Sequence, residues 1–377
     1  MDTIRFGIVG SGYMAKLHSL ALRNLEGYLW PDCPRLVLAR MADIAPDSAR
    51  DGAARWGWHG WTGDWREVTR AADIDAVIVI TPNDSHAEIA IDAFEHGKHV
   101  FCEKPLSNRP ADAERMVAAQ ARSARVGMVN FAYRTWPAVA LARELVETGE
   151  IGEVLHFDGR FFQDYAADPE TPHSWRFDRA VAGGGAFADI GSHITDIACA
   201  LAGPVERVAA ASRRLHDRRP AGGEARPVTV DDLTGALVVF RGGAMGAIHA
   251  CWAAPGHKSS LTFTLVGTEG SVRFDWESAN ALEVYLARGC LRTNGFRRVM
   301  IGGIHPDADP FWFAQGQGLG YGEAFVITAR KFVEAVRDGR TPPGPDFREA
   351  LHVARVVAAV DEAAASGSWV PVAGDGK

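Results

Sequence analysis

Long apolar runs are missing from this sequence: none approaches the roughly 20 consecutive residues that a membrane-spanning helix needs. Blocks of one charge are missing too. Lys and Arg number 40 against 47 Asp and Glu, a formal net charge of −7, which argues against nucleic acid as the main partner. The small basic cluster Arg213, Arg214, Arg218 and Arg219 reads as a solvated loop rather than a phosphate site. Cysteine is scarce. Cys33, Cys102, Cys199, Cys251 and Cys290 are spaced too widely for a metal or redox pair. The opening residues read as a strand, so no targeting segment is expected. With an odd cysteine count, that points to a reducing, cytoplasmic setting. Repeats and low-complexity tracts are also lacking. The 377 residues, 47% hydrophobic and 23% charged, suit two globular domains.

What is present begins at once. Ile4 to Val9 is a short β-rich run, "GSGYMA" follows at Gly10 to Ala15, and Lys16 to Leu25 is helical in pattern. Strand, glycine turn and helix in the spacing G-x-G-x-x-A suit a dinucleotide. Gly10 permits the tight turn, Gly12 lets a pyrophosphate approach the backbone, and Ala15 allows close packing of helix on strand. A second strand, Arg35 to Ala42, ends at Asp43, placed to accept from the adenosine ribose hydroxyls. A helix cap or turn residue is the alternative for Asp43. A carboxylate there would repel a 2′-phosphate, so NAD is expected over NADP.

The alternation continues with helical stretches at Asp47 to Trp56, Asp64 to Ala72, Ala87 to Glu95 and Pro110 to Ala124. Strands are expected at Asp75 to Asn83, His99 to Cys102 and Arg125 to Phe131. This is the pattern of a doubly wound parallel sheet. Gly10, Asp43, Thr81-Pro82-Asn83 and Glu103-Lys104-Pro105 all stand at carboxyl ends of its strands, where ligands bind. A domain boundary is expected near residue 130, with 131–377 forming the second domain. Beyond about Gly149 sequential strands with short turns take over: Val154 to Phe162, Val205 to Leu215, Asp232 to Phe240, Ala244 to Trp252, Leu261 to Val266, Ser271 to Asp275 and Leu282 to Leu286. They imply a mostly antiparallel sheet. One helix, Ala188 to Leu201, interrupts them. Two more, Glu323 to Arg337 and Phe347 to Ala365, close the chain and are candidates to pack back on the first domain.

"GGGAFADIGSHITDIA", Gly183 to Ala198, puts Asp189 and His193 four residues apart, on one face of a helix. An acid beside an imidazole suits proton transfer from an alcohol. The spacing alone equally fits an ordinary surface pair. A metal is disfavoured if Lys104 shares the cleft, and no other ligand cluster is apparent. His18, His86 and His249 taken singly read as structural.

In order, Gly10-x-Gly12-x-x-Ala15, Asp43, Thr81-Pro82-Asn83-x-x-His86, Glu103-Lys104-Pro105 and the triple glycine leading to Asp189-x-x-x-His193 resemble the glucose–fructose oxidoreductase, inositol dehydrogenase and MocA (Gfo/Idh/MocA) family. The resemblance spans nearly the whole chain. It implies an α/β chain: an N-terminal Rossmann domain and a C-terminal α+β domain with a large open, mostly antiparallel sheet. It implies NAD(P)-linked hydride transfer at a secondary hydroxyl or hemiacetal of a sugar or cyclitol. Lys104, Asp189 and His193 take the family's catalytic positions. Gly10, Gly12, Tyr13, Met14, Asp43, Thr81, Pro82, Asn83, His86, Glu103 and Lys104 take the cofactor positions, Glu103 either pairing with Lys104 or reaching the nicotinamide ribose. The family also implies a cis Lys104-Pro105 bond and a homodimer or homotetramer paired through the open sheets. Further stretches resemble one branch, the bacterial levoglucosan dehydrogenases: Trp30-Pro31, Gln163 to Pro169, Ser174 to Phe177, Gly295 to Val299, His305-Pro306 and Gly318 to Glu323. That branch implies oxidation at C3 of a bicyclic anhydro-sugar. Lys104, Tyr133, Arg134, Gln163, Trp175, Arg176, Asp189, His193 and His305 are then the sugar-site candidates. An inositol or aldose dehydrogenase, an NAD-dependent glycosidase and a non-catalytic NAD sensor are the alternatives.

Overall fold

A computed structural model describes residues 2–288, 292–314 and 316–374; Cys290 lies outside them. The chain divides into two compact units. The first comprises residues 1–132 and 319–351, the second 133–318 and 352–377.

The first unit winds as β1 (Thr3–Val9), α1 (Tyr13–Tyr28), β2 (Arg35–Ala42), α2 (Pro46–Trp56), β3 (Gly60–Thr62), α3 (Arg66–Thr69), β4 (Ala76–Val79), α4 (His86–Glu95), β5 (His99–Cys102), α5 (Pro110–Ser123) and β6 (Gly127–Val129). All six strands run parallel in the order β3-β2-β1-β4-β5-β6. β4, β5 and β6 are buried at every position, as strands covered on both faces must be. The strand order steps away from β1 in both directions, so the carboxyl ends of β1 and β4 flank the point where such folds bind ligands. The helix expected over 64–72 shrinks to α3, because Trp65 to Arg70 makes little more than one turn before the chain enters β4. The strand expected over 125–131 shortens to β6.

The second unit holds α6 (Pro137–Glu147), β7 (Val154–Phe162), α7 (Arg179–Ala182), α8 (Ser192–Ala202), β8 (Val205–Arg213), β9 (Arg218–Ala221), β10 (Glu224–Pro227), β11 (Leu233–Phe240), β12 (Met245–Cys251), β13 (Ser260–Gly267), β14 (Gly270–Asp275), β15 (Ala281–Leu286) and β16 (Arg297–Met300). After α9 (Tyr321–Asp338), which belongs to the first unit, α10 (Phe347–Ser366) carries the unit boundary within it. β17 (Val370–Pro371) then pairs with β8. Nine strands form one sheet, β16-β15-β14-β13-β7-β12-β11-β8-β17. Every neighbouring pair is antiparallel except β7 and β12.

Two expectations change here. The helix foreseen from Ala188 opens instead on a widened π turn, Phe187–Gly191, before α8 takes up regular winding at Ser192. The basic cluster is not a solvated loop: Arg213 ends β8, Arg218 and Arg219 form part of the β9–β10 hairpin, and Arg219 is wholly buried. The short elements β3, β9, β10, β16 and β17 lack the apolar period that would have announced them, whereas the amphipathic α6 was not foreseen.

Candidate active site

In the first unit the turn after β1 is shaped by its glycines. Gly10 has φ +109°, and a Cβ there would meet Ile80 Cγ1 at 2.7 Å and the Ile80 carbonyl oxygen at 3.1 Å. Gly12 caps α1, and a Cβ on it would find nothing within 4 Å. The backbone therefore lies bare where the first N–H groups of a 16-residue helix emerge. Asp43 braces the turn. Its Oδ2 accepts from the Ser11 N–H (2.9 Å) and Ser11 hydroxyl (2.7 Å), and its Oδ1 accepts from the Ala45 N–H (3.0 Å). The turn-residue reading of Asp43 is thus realised, and the carboxylate is held at the end of β2. Tyr13 is exposed and Met14 half-buried beside it. Thr81, whose hydroxyl accepts from the Ser85 hydroxyl at 2.7 Å, Pro82 and Asn83 form the turn after β4. This bare turn, backed by a carboxylate, fits a dinucleotide.

Two expected cofactor residues are instead internal. His86 is fully enclosed, with Nε2 2.9 Å from the Thr81 carbonyl and Nδ1 3.0 Å from the Pro105 carbonyl. It ties the turn after β4 to the turn after β5 and has no nitrogen left for a ligand. Burial pushes its pKa down, so the neutral ring donates to one carbonyl at a time. Glu103 is also buried. Its Oε1 lies 2.8 Å from His18 Nε2 and accepts from Asn130 Nδ2 at 2.6 Å, and its Oε2 accepts from the Lys104 N–H at 3.2 Å. Burial would raise its pKa, but the His18 hydrogen bond and charge, with Asn130, hold it below the ordinary value. The carboxylate therefore faces inward rather than toward a ribose. His18, read as structural, and Asn130, unremarked in the sequence, are its partners. Between Phe101 and Ser107 only Lys104 escapes burial, and its bond to Pro105 is cis. At this strand end Lys104 is thus the half-buried residue beside an internal acid.

The second unit places the other candidates. Asp231 organises the triple-glycine turn. Its Oδ1 accepts from the Gly185 N–H (2.9 Å), and its Oδ2 accepts from the Phe187 N–H (3.1 Å) and the Thr234 hydroxyl (2.8 Å). A Cβ at Gly185 would fall 2.0 Å from the Asp231 carbonyl, so glycine is obligatory there. This docking starts the π turn that carries Asp189. Asp189 Oδ2 accepts from the Tyr165 hydroxyl at 3.2 Å, and Arg176 Nε is 3.8 Å from the same oxygen. The Arg176 guanidinium stacks over Trp175 at 4.5 Å, both on one turn, Trp175–Phe177. His193, on the first turn of α8, is buried and receives the edge of Tyr133 with ring centroids 4.8 Å apart; Tyr133 packs in turn on Trp276 at 4.6 Å.

The remaining sugar-site candidates are spread around these. Gln163 follows β7, where its N–H donates to the Cys251 carbonyl (2.8 Å) and its carbonyl accepts from Ala254 (2.8 Å). Arg134 is buried, with Nε 3.0 Å from Asp196 Oδ2. That ion pair places Arg134 in the packing beneath α8 rather than on an open sugar-binding surface. His305 lies on the loop after β16, its Nδ1 accepting from the Gly302 N–H at 3.0 Å. Among the described residues no group of three or more His, Cys, Asp or Glu side chains is arranged to hold a metal ion. No described helix is long and apolar enough to cross a membrane.

Comparison with known proteins places the chain among relatives. The profile of the oxidoreductase family with NAD-binding Rossmann fold matches residues 4–131, and that of the GFO/IDH/MocA C-terminal domain matches 139–273. Levoglucosan dehydrogenase of Pseudarthrobacter phenanthrenivorans is 38% identical over 99% of both chains. The scyllo-inositol 2-dehydrogenase (NAD+) of Bacillus subtilis is 28% identical over 95% of this chain and 93% of its own. A solved levoglucosan dehydrogenase in complex with NADH and levoglucosan superposes with a TM-score of 0.95 at 39% identity, covering 98% of this chain and 99% of that one. Bare glycine turn, Asp189 turn and full-length likeness lead to one assignment: the chain belongs to the GFO/IDH/MocA family of NAD-binding oxidoreductases.

Proposed function

We propose that this protein oxidises a secondary hydroxyl of a sugar with NAD, at C3 of levoglucosan or a related anhydro-sugar. The observation that carries the reading is the full-length likeness to levoglucosan dehydrogenase, which includes a relative solved with NADH and levoglucosan. Gly10, Gly12, Tyr13, Met14, Asp43, Thr81, Pro82 and Asn83 hold the cofactor. Bound NAD supplies the acceptor for a hydride from the carbinol carbon. Lys104 supplies a cationic donor to an oxygen that gains negative charge as the hydride leaves. His193 supplies the base that takes the hydroxyl proton. Asp189, held by Tyr165 and Arg176, orients a sugar hydroxyl, and Trp175, Tyr133, Gln163 and His305 shape the sugar site. The protein works as a homodimer or homotetramer, supported by Leu237 and Met245, which stand 57% and 62% exposed on one face of β11 and β12. Cys33, Cys102 and Cys251 carry free thiols, in keeping with the cytoplasm.

NADH absorbance with levoglucosan, scyllo- and myo-inositol and free aldoses tests the reading. Levoglucosan is expected to turn over. Turnover of an inositol alone would move the substrate to the second reading, which the scyllo-inositol 2-dehydrogenase relative favours. Glycoside cleavage without net NADH would make the protein a glycosidase, and tight NADH binding without turnover on any sugar would make it a sensor.

A further inference from the structure

Tyr165 belongs to none of the catalytic motifs, yet its hydroxyl donates a hydrogen bond to Asp189 Oδ2, at 3.2 Å. It stands on the segment after β7, which has no helix or strand of its own. What fixes that backbone therefore decides where the hydroxyl sits. One side docks on the end of β12: the Gln163 N–H donates to the Cys251 carbonyl at 2.8 Å and the Ala166 N–H to the Trp252 carbonyl at 3.0 Å. The other side is clamped by Arg219. Its Nη2 donates to the Ala166 carbonyl at 2.6 Å and its Nη1 to the Asp168 carbonyl at 2.8 Å. The guanidinium is wholly buried, lies 4.4 Å over the Phe177 ring, and has its carboxylate, Asp232, 4.0 Å away. Asp232 is itself fixed, accepting from Trp252 Nε1 at 2.6 Å and from the Leu215 N–H at 2.7 Å. A buried guanidinium is costly to desolvate, and this one directs two of its donors to the backbone just beyond Tyr165.

We propose that Tyr165 is a positioning residue for Asp189, and that Arg219, reaching in from the β9–β10 hairpin, sets the backbone from which Tyr165 acts. The inference rests on the dehydrogenase reading, since it needs Asp189 to meet the substrate. A donated hydrogen bond and a nearby guanidinium favour the ionised carboxylate and fix its plane. Desolvation first, and then the charge of Asp189, raise the Tyr165 phenol well above its ordinary pKa, so it remains a donor.

The test is sugar-saturation kinetics with NADH titration on wild type, Tyr165→Phe, Arg219→Lys and the double variant. Tyr165→Phe keeps the ring against Trp252 and removes only the donor. Its kcat/KM for the sugar should fall about 10- to 100-fold, the size of a lost hydrogen bond to a charged group, with NADH affinity unchanged. Arg219→Lys should lower the same quantity, and the double variant should be no worse than Tyr165→Phe. Arg219→Gln takes its place if the lysine variant does not fold. Unchanged kcat/KM in Tyr165→Phe, or losses that multiply in the double variant, would overturn the proposal alone. A wild type inactive on every sugar would overturn the dehydrogenase reading with it.

Discussion

In the first unit the working surface is mostly backbone, whereas in the second it is mostly side chain. Around the glycine turn, Asp43 is occupied with Ser11, His86 with two carbonyls, and Glu103 with His18 and Asn130. The amides beside Gly12 lie bare, the Asp43 carboxylate backs them at the end of β2, and Lys104 stands half-buried at the end of β5. In the second unit the polar side chains hold one another: Tyr165 and Arg176 hold Asp189, and Tyr133 packs on His193. A phosphate-bearing cofactor is met well by N–H groups in fixed directions. An alcohol that must lose a proton needs a titratable side chain of adjustable basicity. Damage should therefore divide in the same way, with first-unit changes reaching cofactor binding and stability and second-unit changes reaching turnover.

The largest effect is expected from His193→Ala, with kcat down by about a hundredfold or more while NADH titration gives wild-type affinity. Lys104→Ala should do the same, and it is the one place where the contrast ought to break, a first-unit side chain with a turnover phenotype. Full activity in either variant would remove that residue from the mechanism. Next come the glycines. Gly10→Ala forces a left-handed φ and a contact with Ile80, and should lower folding stability by about 1–3 kcal/mol in thermal or urea melts. Gly12→Ala meets no protein atom, so it should leave the melt unchanged and raise KM for NAD. Equal melting losses for the two would contradict the open site above Gly12.

A smaller effect concerns pH. His99, whose Nδ1 accepts from the Val126 N–H, is lowered from 6.5 to about 4, by burial first and then by Arg125. Below 6.5 the unfolded chain takes a proton that the folded one refuses, so stability should fall as pH drops from 6.5 toward about 4. His99→Asn should flatten that limb of a denaturation series; an unchanged slope would mean that other groups set it. The smallest chemical change is Leu237→Glu on the open face of β11. It should lower the mass seen by light scattering while sparing the melt of the subunit, and an unaltered mass would place the subunit contact elsewhere.

Reading the chain in order recovered five of the six parallel strands and not the three-residue β3, because a strand buried on both faces must be apolar throughout, as β4 and β5 are. It singled out Gly10 and Gly12, and the turn does need the positive φ of Gly10 and leaves the backbone at Gly12 open. It did not show that Glu103 and His86 are both enclosed. Nothing in "EKP" or "TPNDSH" says which way a side chain turns, and burial against His18, Asn130 or Pro105 is decided by residues far along the chain. It missed Arg219 for the same reason: a cluster of arginines looks solvated until a hairpin folds one inward.

Composition, periodicity and the ordered motifs thus determined the family, the Rossmann half, the kind of sheet that follows and the cofactor class, since each is written in local pattern. Tertiary structure alone decided which polar groups face outward, that Asp189 rides a π turn docked on Asp231, and that Tyr165 and Arg176 hold it. Those are pairings between distant residues, fixed by burial and hydrogen-bond geometry, and no local pattern encodes them.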